Sequence, residues 1–165
     1  MSIENIKKIE EIRLNFEKAL KEEDDEVGNE LFDQSVEDLE NIIKTRDKDI
    51  LPALFDLFTL PDLDYTGICE SLENMIFQYF SPDQILETLN HKLSDLIEFN
   101  SDRAKHFAGA FINHKYLEKF RNVLSEVRSI QLKNKLIEEC YHWIGKDYPV
   151  EIAILKKDIE NEEVR

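Results

Sequence analysis

An all-α fold, a short α-solenoid of stacked antiparallel helix pairs, is what this sequence predicts, and three observations predict it. Apolar residues recur at helical spacing along nearly the whole chain, and no strand-like alternation interrupts them. Four Gly and four Pro in 165 residues leave few turn signals for a sheet. The pattern Glu-x-Leu-Glu-Asn-x-Ile occurs at 37–43 and again at 70–76, an offset of 33 that suits a repeated helix pair. A pair this short cannot bury its apolar stripe alone, so stacked copies share a core. The chain is long enough for one domain with a sizeable core and too short for two ordinary ones. One helical-repeat domain over 1–165 is therefore expected: an N-terminal helix and acidic loop at 1–26, repeat pairs at 27–127, and capping helices at 128–165.

Taken in order, residues 3–22 place Ile3, Ile6, Ile9, Ile12, Phe16, Ala19 and Leu20 on one helical face. The acidic run 22–26 breaks or frays that helix. Val27, Leu31, Phe32, Val36, Leu39, Ile42 and Ile43 continue at helical spacing, as one helix or as two joined near Ser35; Ser35 with Asp38 three residues on is a weak capping box and favours a restart. Asp47 or Asp49 caps the next helix, where Pro52 is tolerable only in the first turn. Pro61 ends it. Asp62 and Asp64 then sit where their side chains can cap a helix starting near Ile68 and complement its dipole. In that helix Ile68, Leu72, Met75, Ile76 and Tyr79 form the apolar stripe. Glu70, Glu73, Asn74 and Phe77 form a second face, either covered by a neighbouring repeat or offered to a partner.

Ser81-Pro82-Asp83 is the clearest boundary: a cap, a Pro at the first helical position and an acid in the first turn. Helices follow from Pro82, from Ser101, after the Asn113-His114 turn, from Ser129 and from Pro149. Trp143 falls near an apolar face and is expected in the core. Cys69 and Cys140, the only two cysteines, sit at or beside apolar helical positions, which predicts buried reduced thiols and a cytoplasmic protein. No basic segment leads into an apolar run near the start, and nothing approaches the roughly 20 apolar residues of a membrane span.

Charge is the most informative number. The formal net charge is −15, and residues 1–100 carry 25 Asp+Glu against 9 Lys+Arg, whereas residues 101–165 carry 11 against 12. An acidic surface of this kind repels nucleic acid and steers a basic protein partner, although acidity also serves solubility alone. If the repeats stack in register, Glu37 and Glu40 lie beside Glu70 and Glu73 as one acidic ridge, and the next equivalent positions, Arg103 and His106, reverse its sign. Candidate partner-binding residues are thus Glu37, Glu40, Asp62, Asp64, Tyr65, Glu70, Glu73 and Phe77, with the two aromatics as anchors.

Motifs of catalysis are missing. Glu139-x-x-His142 has metal-ligand spacing, but the second copy and facing carboxylates that such a site needs are not present. Asp102 with His106, and His106 with His114, are lone pairs. There is no Cys-x-x-Cys, no Gly-rich phosphate loop and no nucleophile elbow, so no catalytic residue, metal or cofactor is expected.

Against these residues, the region from Leu31 to Val127 resembles the bacterial polymorphic-toxin immunity proteins of the immunity protein 30 family, whose helical repeats are HEAT-like. The resemblance is carried by Ile42-Ile-Lys-Thr-Arg-Asp with Leu51-Pro-Ala-Leu-Phe-Asp-Leu-Phe, by Asp62-Leu-Asp-Tyr65 entering Glu70-Ser-Leu-Glu-Asn, and by Arg103-Ala-Lys-His-Phe followed by Ile112-Asn113. Where that family carries an aromatic before the Ala of the 101–113 helix, this chain has Asp102-Arg103. The resemblance implies a cytoplasmic, non-enzymatic protein that binds and blocks the C-terminal domain of a cognate toxin in the cell that makes it. A helical-repeat scaffold or adaptor for cellular proteins is the alternative. The oligomeric state stays open.

Overall fold

Most helices start where the apolar periodicity is interrupted by Asp, Ser, Asn or Pro. The computed structural model describes residues 2–165, and among them are nine α-helices, two short 3-10 turns and no strand. The helices are α1 (Ser2–Leu20), α2 (Asp25–Ile43), α3 (Leu51–Leu57), α4 (Ile68–Tyr79), α5 (Pro82–Phe99), α6 (Ser101–Phe111), α7 (Leu117–Glu126), α8 (Ile130–Ile144) and α9 (Pro149–Glu163); the 3-10 turns are Lys48–Ile50 and Leu63–Thr66. The all-α class holds, and among the described residues no helix is long and apolar enough to cross a membrane. The chain forms two compact units, one ending at Ile85 and the other beginning at Leu86.

In the first unit, α1 packs along α2 and buries Ile9, Ile12, Phe16 and Ala19, with Leu39, Ile42 and Ile43 buried on α2. Phe16 stacks on Phe32 with ring centres 5.9 Å apart. The two helices run antiparallel, because the Ser2 hydroxyl at the start of α1 donates to Asp47, just beyond α2, at 2.6 Å. Ile3 is on the outside, 73% exposed, so the predicted apolar stripe begins later than its first isoleucine.

The acidic run is not merely a break. Asp24 accepts from the Glu26 and Val27 amides and caps α2, while Asp25 and Glu26 place negative charge in its first turn. With that cap in place α2 runs through Ser35 without a restart, and Ser35 is buried in mid-helix rather than capping one. Asp47 caps the Lys48–Ile50 turn through the Asp49 amide, and Pro52 falls in the first turn of α3.

The loop 61–67 differs from its reading as a cap. Neither Asp62 nor Asp64 caps α4: Leu63 is fully buried, and this draws the loop into its own 3-10 turn, one turn too early for the aspartates to reach the α4 amides. Asp62 adopts a left-handed backbone with φ 67°, a conformation that Asp tolerates better than most residues. Gly67, φ 78°, occupies the cap position of α4, and the Thr66 hydroxyl accepts from the Ile68 amide at 3.3 Å.

α5 begins with the full reciprocal box: the Ser81 hydroxyl accepts from the Gln84 amide at 3.2 Å, and the Gln84 side chain accepts from the Ser81 amide at 2.9 Å. In the second unit, α6 packs on α7 and α8, and α8 on α9. Phe107, Phe111, Phe120, Leu136, Ile137, Cys140, Leu155 and Ile159 are among the buried residues there. Asn100 caps α6 through the Arg103 amide and Ser129 caps α8 through the Leu132 amide. α8 and α9 are antiparallel: Lys133 near the start of α8 donates to Glu162 near the end of α9 at 2.5 Å, and Asn134 donates to Glu163 at 3.1 Å. Arg121 of α7 reaches Asp158 of α9 with two hydrogen bonds of 2.7 and 2.9 Å.

Candidate partner-binding surface

The division into two units sharpens the charge asymmetry. Residues 1–85 carry 22 Asp+Glu against 8 Lys+Arg, a net of −14, whereas residues 86–165 carry 14 against 13, a net of −1. Nearly all the negative charge therefore lies on the first unit, where every candidate partner-binding residue also lies.

Two segments of that unit carry them. On α2, Glu37 is exposed, and Glu40 is half-buried with its carboxylate 2.9 Å from Lys44. That bond holds the Lys44 ammonium above its ordinary pKa. On the turn and helix that follow Pro61, Asp62 and Glu70 are exposed, Asp64 and Glu73 are half-buried, Tyr65 is 90% exposed and Phe77 is 37% exposed. The Leu63–Thr66 turn packs on α4, so Asp62, Asp64 and Tyr65 share one segment with Glu70.

α2 and α4 pack together, and their C-terminal ends meet: the Arg46 guanidinium lies over the Tyr79 ring, 5.8 Å from its centre. Arg46 and Tyr79 are 33 positions apart, so the register at that end equals the period of the repeated motif. The same offset in sequence separates Glu37 from Glu70 and Glu40 from Glu73. Of the two positions of the predicted sign reversal, His106 is half-buried and Arg103 does not reach the surface. Arg103 is buried, and its guanidinium lies 3.4 Å from Asp102.

Sequence reasoning also misplaced Trp143. The indole is 49% exposed instead of in the core; it stacks on His106 with ring centres 5.0 Å apart, and Lys105 sits 5.5 Å from its ring centre. A Cβ at Gly109 would come within 2.5 Å of the indole, so the ring lies flat on α6 only because that position has no side chain. Gly109 on an otherwise helical segment, four residues after Lys105, was the available signal. Lys105 also bonds Asp102 at 2.8 Å, which holds the Asp102 carboxyl below its ordinary range.

Among the described residues, no group of three or more His, Cys, Asp or Glu side chains could hold a metal ion. His142 of the Glu139-x-x-His142 spacing approaches Glu138 at 3.2 Å. Cys69 and Cys140 are both free and buried; burial, with Glu139 nearby, pushes the Cys140 thiol up to about 12. No protein-family model, characterised protein or solved structure matches the chain.

Proposed function

We propose that this chain is a protein-binding protein whose partner is basic, and that the first unit is what meets it. One observation carries the reading: residues 1–85 hold a net charge of −14 and display, amid that charge, Tyr65 at 90% exposure. An amphipathic ring in a charged surround is the usual form of a binding anchor, since the ring supplies apolar area and its hydroxyl a hydrogen bond. In this reading Glu37, Glu40, Glu70 and Glu73 steer the partner, and Asp62, Asp64 and Phe77 lie on the same acidic unit as the anchor.

More narrowly, the proposal is an immunity protein that neutralises the C-terminal domain of a cognate bacterial polymorphic toxin in the cytoplasm of the producing cell, acting by binding and without catalysis. The support for the narrower statement is the resemblance of Leu31–Val127 together with the acidic charge, which suits a basic toxin surface. The test is co-expression with the C-terminal domain of a secreted toxin from a neighbouring gene, scored for growth and for co-purification. Growth rescue with a stable complex is expected. Toxicity undiminished by the chain, or a chain that rescues without binding, overturns the reading.

A further inference from the structure

Between α1 and α2 runs an open groove of about 480 Å³, within the range of volumes that hold ligands. Ile12 and Ile42, both buried, lie along it, and three carboxamides line it: Asn5, Asn15 and Asn41. Asn5 is only 9% exposed. Asn15 is half-buried and Asn41 exposed, and among the described residues no hydrogen bond occupies the side chain of any of the three; only at the nearly buried Asn5 is an amide without a protein partner unusual. Asn41 is the asparagine of the repeated motif.

We propose that this groove binds an extended peptide segment carrying a basic side chain. Each carboxamide offers one acceptor and two donors, the complement of a peptide unit's N–H and C=O. Asn5 and Asn15 are ten residues apart on α1, about 15 Å along the axis, a length that about four or five residues of extended chain cover. The sign of the occupant's charge follows from the rim. Glu11 has no ion-pair partner among the described residues, Asp38 accepts only from the neutral Gln34 amide at 3.0 Å, and Lys8 is already paired with Glu4 at 3.1 Å. A nucleic acid strand is repelled by the same carboxylates. The occupant's charge is read from the rim and agrees with the proposed function without resting on it.

The experiment is a titration of the full chain with the blocked peptide acetyl-Ala-Lys-Ala-Lys-Ala-amide, following side-chain NH₂ resonances. A matching peptide with Glu for Lys, and one with N-methylated backbone amides, are the controls. The Lys peptide is expected to shift the Asn5, Asn15 and Asn41 resonances at submillimolar concentration, and neither control to do so. The double variant Asn5→Leu with Asn41→Leu is expected to keep the wild-type circular dichroism and bind at least about tenfold more weakly, the loss of one or two hydrogen bonds. Unmoved groove resonances at millimolar peptide, equal binding by the Glu peptide, or undiminished binding by the folded variant each overturn the proposal. No toxin is present in the titration, so failure here is read separately from failure of neutralisation.

Discussion

Asn5→Leu is expected to stabilise the chain, which would be an unusual outcome for a substitution at a nearly buried position. Asn5 is 9% exposed and makes no side-chain hydrogen bond within the described residues. Its amide faces the open groove, where water meets it, so replacing it removes a partial desolvation cost of at most about 1 kcal/mol. Leu also exceeds Asn in helix propensity by up to about 0.5 kcal/mol. The groove, about 480 Å³, has room for the added methyl groups, so overpacking does not offset the gain. The expected net effect is about 1 kcal/mol of added stability, read as a rise in urea midpoint at unchanged m-value. A variant destabilised by about 1 kcal/mol or more would mean that the amide does structural work, and would refute the claim that it is kept for a ligand.

Other outcomes follow from the second unit and from the helix caps. Lys133 is buried, with its ammonium on Glu162, which is 37% exposed; Glu162→Gln is expected to cost about 1–3 kcal/mol by leaving that charge poorly compensated, and Lys133→Met to be close to neutral, both by urea titration. Gly109→Ala must displace the indole of Trp143, the only tryptophan, so its emission is expected to shift to the red while helix content is kept. Because the Cys140 thiol is raised from 9.0 to about 12, its contribution is present below pH 9 and lost as pH rises. Between pH 8 and 10 the wild type is expected to lose about 1 kcal/mol more than Cys140→Ala. Asp24→Ala removes the acceptor for two amides at the start of α2 and is expected to cost about 1 kcal/mol.

Much of the fold was legible because most apolar positions at 3.6 spacing are buried, and because Ser81-Pro82-Asp83 and Ser129 announce their helices with capping chemistry. The failures have local causes. Ser35 with Asp38 imitates a capping box, yet Asp24 had already started the helix, and continuous burial on one face carried it through. Asp62 and Asp64 are good capping residues at the wrong distance, since the burial of Leu63 fixes the loop first. Trp143 was assigned inward by its size and neighbours, while the space it occupies is made on another helix by Gly109. Candidate residues were easier to place than to pair: charge density and the exposed Tyr65 could be read from the chain, but the carboxamide groove depends on which faces of α1 and α2 oppose each other.

The central claim is that the acidic first unit steers and holds a basic partner. It is tested most directly by measuring the affinity of the wild type and of the Glu40→Lys with Glu73→Lys variant for the toxin domain at low and at physiological salt. Screening at about 0.15 M cuts exposed charge attraction to within roughly 8 Å. The wild type is expected to weaken steeply with salt, and the folded double variant to bind more weakly at low salt with a much flatter dependence. Identical affinities for the two proteins at both salt concentrations would contradict the account.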